Sequence, residues 1–411
     1  MGDRRDSRVT GTYEVAIVGG GPAGSALAIR LARSGHDVVV LERSAEPAWR
    51  AGGVFASPAA MDRLRALGLA EPVLTEVARA IPAMRVETAG GTSFRLPYGD
   101  DGSLRHPAVA FDRPALDRRL LELAAETGTD VRRSTSVTGV ELGQRRSRLR
   151  LRTPDGDEEL DARVVVGADG LRSIVARAAG VTAEARLGER VGLTFHVAEP
   201  EPDVPRDARM IVLDGAYCGL APVPGGRVNV GIVLASVAWR RLLAVRGASE
   251  TAREVLRHIP AAADDPVPWP DATRCDDIVG AAPLGHRVTR RAGDGWLLIG
   301  DAAGFLDPFT GEGLHRALVS AELAAEAIEG RLADRVSLAG YGLAMDHRFR
   351  AKDLATLLVQ AFLSRPPAFE YAARRLAARR DVRETIGLVI GDLLPASRAI
   401  DPRFLAALLR P

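Results

Sequence analysis

Two aspartates, Asp301 and Asp307, stand in the run Gly300-Asp-Ala-Ala-Gly-Phe-Leu-Asp-Pro-Phe-Thr-Gly-Glu-Gly313. The apolar residues Trp296-Leu297-Leu298-Ile299 precede it and read as a short buried strand. An alanine- and leucine-rich pattern at helical spacing follows, from about Leu314 to Ile328. A strand, a Gly-Asp turn and a Pro-Gly loop that opens a helix turn backbone N–H groups toward an anionic or electron-rich ligand. Asp307 lies inside that loop, between Leu306 and Pro308, where it serves as an acid or caps a turn. The remaining titratable candidates are Arg50, His196, Tyr217 and His315, and an isolated histidine is as compatible with a satisfied structural role as with proton transfer. No nucleophilic triad or metal-ligand cluster is evident. Cys218 and Cys275, the only 2 cysteines, fit no metal spacing and build no disulfide framework.

A second stretch narrows the ligand. Tyr13 to Val18 forms an apolar strand, Gly19-Gly20-Gly21-Pro22-Ala23-Gly24 opens a helix to about Ser34, and Val38 to Leu41 forms the next strand, ending at Glu42. This is Gly-x-Gly-x-x-Gly in its strand–turn–helix setting, where the glycines allow a tight turn and close approach of a pyrophosphate. The helix start supplies the anion site, and Glu42 is spaced to accept hydrogen bonds from a ribose. The pattern predicts a bound dinucleotide. A third stretch, Val164 to Ser173, again runs a buried strand into a glycine turn, with Asp169 and Arg172.

In this order the three stretches resemble the superfamily of FAD-dependent hydroxylases and geranylgeranyl reductases, which includes aromatic hydroxylases and tryptophan halogenases. The resemblance covers nearly the full chain, and its loop motifs are closest to the geranylgeranyl reductase-like branch. It implies that Gly19, Gly21, Ala23, Gly24, Glu42 and Arg43 hold the ADP half of FAD. It implies that Asp169 touches the pyrophosphate in a motif also tied to NAD(P)H, the expected electron donor. Asp301 is implied to hold the ribityl chain, while Pro308, Gly311, Glu312 and Gly313 bring a helix start to the flavin ring. Gly53 falls in a loop that lies over the flavin in the reductases. Arg113 matches an arginine that contacts FAD in the hydroxylases, with a structural capping role as its alternative.

The elements that must position these residues imply an α/β protein: a Rossmann-type FAD-binding domain, an inserted antiparallel-sheet substrate domain and a helical C-terminal region. The expected division is 12–80, 105–185 and 275–335 for the first, 81–104 and 186–274 for the second, and 336–411 for the third. A hairpin from Ala83 to Leu96 turns at Gly90-Gly91, and Arg190–Val197, Arg209–Leu213 and Arg227–Leu234 alternate as strands of the second sheet. Val131 to Val140 reads as one strand-like run. Asp276 to Ala282 is expected to lead back to the cofactor domain, and Met1 to Gly11 to be frayed.

The reaction divides two readings. The leading one is an NAD(P)H-dependent flavin monooxygenase that hydroxylates or epoxidises an apolar small molecule, and its alternative is a geranylgeranyl reductase-like reductase of C=C bonds. Arg50, Tyr217 and Asp307 are the catalytic candidates. The Gly-Asp loop, with Gly304 where aromatic hydroxylases carry a histidine, favours the reductase. Against it, Ala51 replaces the cysteine of the reductases' Cys-Gly-Gly segment, ahead of Gly52-Gly53. Tyr217-Cys-Gly-Leu-Ala-Pro222 also keeps only the Tyr and Pro of their Tyr-x-Trp-x-Phe-Pro motif. Gly219 and Ala221 should widen the cavity there. A quinone-linked electron relay would need an iron–sulfur segment that 2 cysteines cannot supply. A net charge of +2 on 411 residues argues against nucleic acid as a partner. The expectations are a cytoplasmic monomer or homodimer with an apolar small-molecule substrate; peripheral membrane association is possible but not indicated.

Overall fold

The computed structural model describes residues 9–98, 107–185, 187–261, 265, 267–334 and 337–409. The expected boundary at 104/105, Pro266 and residues 1–8 therefore lie outside the described residues, whereas Val9 to Gly11 belong to the first strand.

Valine-rich runs buried on both faces make parallel strands that helices must cover. The first sheet follows this rule. Its central order is Trp296–Leu298, Gly156–Gly167, Val9–Val18, Val38–Leu41 and Asp130–Arg132, with every neighbouring pair parallel. Val15, Ala16 and Ile17 are fully buried, and helices Pro22–Arg33 and Gly313–Leu332 pack against this core. Register fixes the site: Val18 pairs with Gly167, and Gly167 pairs with Leu298. The glycine turn, the Asp169 turn and the Asp301 turn thus leave three adjacent strands side by side at their carboxyl ends, where ligands bind in sheets of this kind.

The second sheet is mostly antiparallel, in the order Val279–Ala281, Val191–Ala198, Arg227–Leu234, Ala216–Val223, Ala208–Leu213, Ala83–Thr88 and Ser93–Pro97. Alternation sends Leu193, Phe195, Cys218, Leu220, Val230 and Ile232 to one face, where helix Val237–Leu256 covers them. The opposite face carries Val86, Met210, Tyr217 and Val233, and meets Phe305 and Phe309 of the Gly-Asp loop and Ala373 of helix Pro366–Ala378. A small sheet of Phe55–Ala56, Ala108–Phe111 and Ala78–Ile81 joins the two regions.

Two further elements differ from expectation. The run 131–140 is divided into Asp130–Arg132 and Ser136–Glu141, because Ser134 takes a left-handed φ of 53° and turns the chain. Residues Val279–Ala281 still pair with Gly192–Thr194 of the second sheet, so the return to the first sheet comes later. No described helix is long and apolar enough to cross a membrane.

Candidate functional site

The glycine turn serves two opposed packing needs. A Cβ on Gly24 would lie 2.0 Å from the Gly19 carbonyl oxygen, so this glycine lets the helix sit on the strand. A Cβ on Gly21 would meet nothing within 4 Å, and the same holds at Gly52, Gly53 and Gly313. These four glycines leave open space beside backbone. Ala23 packs under the Gly300 turn, where an added Cβ would approach it to 2.9 Å. Glu42 is buried and accepts hydrogen bonds from the N–H groups of Gly20 at 2.9 Å and Ser44 at 3.0 Å. Burial pushes its pKa up, but those donors and Arg50 outweigh burial and hold it below the usual carboxylate range.

Arg50 lies 3.2 Å from Glu42, so the structure joins it to the glycine turn rather than to Tyr217 and Asp307. Arg43, beside Glu42, is exposed. Capping of helix Arg113–Glu126 falls to Asp112, whose carboxylate accepts from the Ala115 N–H. That leaves Arg113 to donate to the Gly53 carbonyl at 3.0 Å and to pair with Asp117 at 3.3 Å, tying the Gly52-Gly53 loop to the helix start.

Asp169 accepts from the Ile174 N–H through Oδ2, while its buried Oδ1 has no partner among the described residues. Thr310 likewise has a buried, unpartnered Oγ1. Burial raises the pKa of Asp301, with Arg113 and Arg316 opposing. A cradle of open glycines, two orphaned polar oxygens and an acid at each end fit FAD, with an anion-binding helix start at Gly21 and another at Gly313. Glu42 and the first glycine turn would hold the ADP half. Asp301 and the Gly311–Gly313 backbone would face the ribityl and ring half.

The structure brings two catalytic candidates into contact. The Tyr217 hydroxyl donates to Asp307 Oδ1 at 2.6 Å, and the Phe309 N–H donates to the same oxygen at 2.9 Å. Arg190 pairs with the other Asp307 oxygen and donates to Gln360 of helix Ala339–Leu363 at 2.7 Å. Burial, with Asp307 adding to it, raises the Tyr217 pKa well above 10, so the phenol stays protonated. Burial also raises Asp307, against the lowering by Arg190. Beyond Tyr217 on the same sheet face, Gly219 and Gly231 are register partners and only half-buried within otherwise buried strands. A Cβ on Gly231 would meet no atom closer than 3.8 Å, and one on Gly219 none closer than the Met210 Cε at 3.5 Å. Ala221 continues this face and is buried against Val54, Phe55 and Tyr98.

Pro308 is half-buried at the rim of the loop. The Glu312 side chain pairs with Lys352 at 3.2 Å and Arg316 at 3.7 Å. Lys352 also pairs with Asp392, which accepts from the Ser57 hydroxyl at 2.6 Å and lies 3.5 Å from His315. Burial depresses His315 to a pKa of about 4. Sequence reasoning missed Arg190, Gln360, Lys352 and Asp392. One signal was present, since Lys352 is the sole lysine among 55 basic residues.

The sequence profile of the FAD binding domain family matches residues 12–329. The chain is 32% identical over 339 residues to digeranylgeranylglycerophospholipid reductase 2 of Methanopyrus kandleri, covering 77% of this chain and 78% of that protein. It is 29% identical over 391 residues to menaquinone reductase of Mycolicibacterium smegmatis, covering 93% and 92%. A solved geranylgeranyl bacteriochlorophyll reductase-like protein from Thermoplasma acidophilum superposes with a TM-score of 0.78 at 20% identity, over 97% of this chain and 98% of the other.

Proposed function

The chain belongs to the FAD binding domain family and is an FAD-dependent oxidoreductase, and from that premise we propose that it reduces carbon–carbon double bonds in a long apolar molecule, with NAD(P)H as electron donor. The observation that carries this reading is the open strip at Gly219 and Gly231, in a face otherwise walled by Val86, Phe94, Leu96, Met210 and Val233. An extended alkene needs such a floor, because it contributes area and shape but few hydrogen bonds. Similarity to two curated reductases over most of the chain supports the same reading.

Bound FAD supplies the hydride chemistry. The chain's own residues orient and enclose. Tyr217, held by Asp307 and kept protonated, fixes the edge of the floor against the Gly-Asp loop, and Phe309 packs edge-on against its ring at 5.2 Å. Arg190 neutralises Asp307 and ties this edge to the C-terminal helices through Gln360, which helps exclude water. The monooxygenase reading rests chiefly on Ala51, which removes a proton-bearing side chain from the loop. Tyr217 does not stand in for that side chain, because its hydroxyl is committed as a donor to Asp307 Oδ1.

Holoenzyme reduced anaerobically with NADH or NADPH and given an all-trans polyprenyl alcohol should yield a product heavier by hydrogen pairs. Failure under nitrogen, with oxygen from labelled dioxygen appearing in the product in air, would restore the monooxygenase.

A further inference from the structure

Resting on the reading above, the structure assigns His196 and Asn229 to a polar subsite that takes a hydrogen-bond-donating head group, a hydroxyl or N–H, on the apolar substrate. The two residues are register partners on neighbouring strands and share the sheet face that carries Ala221, Gly219 and Gly231. His196 is fully buried and Asn229 is 5% exposed. Both carry a polar atom without a partner among the described residues, His196 Nε2 and Asn229 Oδ1. A buried acceptor left without a donor is destabilising, and two on register partners are rarely left without a use.

The chemistry of the ligand follows from the other ring nitrogen. His196 Nδ1 lies 2.6 Å from Asp276 Oδ2, and the Asp276 Oδ1 accepts the His196 backbone N–H at 2.7 Å. The carboxylate fixes the proton on Nδ1, so Nε2 is left as a lone-pair acceptor. Burial lowers the His196 pKa and keeps the ring neutral, with Asp276 opposing. Asn229 Oδ1, on the register partner, is a second acceptor. Two acceptors face a donor, which an alcohol, a phenol or an amine provides and an ether does not.

The placement suits a head group. Asn229 and Gly231 are separated by two residues on one strand, roughly 7 Å, and Tyr217 lies two such steps from Ala221 on the next strand. A molecule with its donor at His196 would thus lay its apolar body across the glycine strip toward the Gly-Asp loop. Trp49 closes the subsite from the other side, its ring centroid 3.9 Å from that of His196, and Arg227 stacks over Trp49 at 5.5 Å. Trp49 belongs to the loop that carries Ala51 and Gly52-Gly53, so head-group binding and the flavin-facing loop share one contact.

The test is titration of the oxidised holoenzyme with geranylgeraniol and with its methyl ether, read by the change in flavin absorbance, with no turnover required. Wild type should favour the alcohol by about fivefold to tenfold, the worth of the one neutral hydrogen bond that its O–H proton donates. His196→Phe should lose most of that preference and Asn229→Ala a smaller part of it, both still binding the ether and retaining flavin. Asp276→Asn gives the separate check: the amide donates to Nδ1, moves the ring proton to Nε2 and should bring alcohol and ether to within about twofold. Equal binding of alcohol and ether by wild type overturns the subsite. Loss of FAD affinity in the His196 and Asn229 variants also overturns it, because the donor would then belong to the cofactor. If neither probe perturbs the flavin, the polyprenyl substrate class proposed above falls, and the subsite falls with it.

Discussion

The two ends of the candidate FAD site are built from different materials. Around the glycine turn the chain uses backbone and the absence of side chains: Gly21 leaves space, Gly24 permits contact, and Glu42 is held by the N–H groups of Gly20 and Ser44. Around the Gly-Asp loop it uses buried side-chain charge. Asp307 is neutralised by Arg190, while Glu312 and Asp392 share Lys352. Backbone geometry is local and cannot be re-tuned without breaking the turn. A buried ion group is assembled from distant segments and fails when one partner is removed, because the remaining charge has no water to turn to. The difference separates a rigid anchor for the ADP half from an end whose shape depends on the C-terminal helices.

Breaking the anchor should give the largest effect. Gly24→Val puts a side chain into the Gly19 carbonyl and should abolish soluble folded protein, whereas Gly21→Val should fold with a near-normal thermal midpoint and lose flavin absorbance. Equal folding of the two variants would remove the distinction between a packing glycine and a cofactor glycine.

At the other end, Lys352→Met leaves the buried carboxylates of Glu312 and Asp392 without their shared cation and should cost about 3–5 kcal/mol in denaturant unfolding. Arg152→Gln, which cuts an exposed pair with Asp157 on the first sheet, should leave stability unchanged. A Lys352 variant as stable as wild type would show that the ion group carries no load.

A smaller effect comes from pH. His315 titrates at about 4 when folded against 6.5 as an ordinary histidine, so the native state disfavours its proton. Its contribution is complete above 6.5 and is lost as pH falls toward 4, by about 3 kcal/mol at most. Asp392 is also held below its usual pKa, so its contribution is lost further into the acid range. His315→Gln should flatten the stability profile between these two pH values. An unchanged slope in the variant would assign the acid sensitivity to other groups.

The sequence by itself determined the anchor. Gly-x-Gly-x-x-Gly, the apolar strand before it and Glu42 after it all lie within Tyr13 to Glu42, and local spacing dictates their geometry. It also determined the strands of both sheets where alternation or valine runs are strong, and failed at Ser134, where a turn interrupts the 131–140 run without a glycine or proline to mark it. Tertiary structure alone decided the partners. Tyr217 meets Asp307 across 90 residues, Arg190 meets Gln360 across 170, and Ser57 meets Asp392 across 335. It turned Arg50 to Glu42 and left His196 with one nitrogen held and one open. Periodicity reports which face of an element is buried, because each residue carries that information in its own polarity. Which two buried polar groups meet depends on how separate elements cross in space, and no single stretch of chain encodes that crossing.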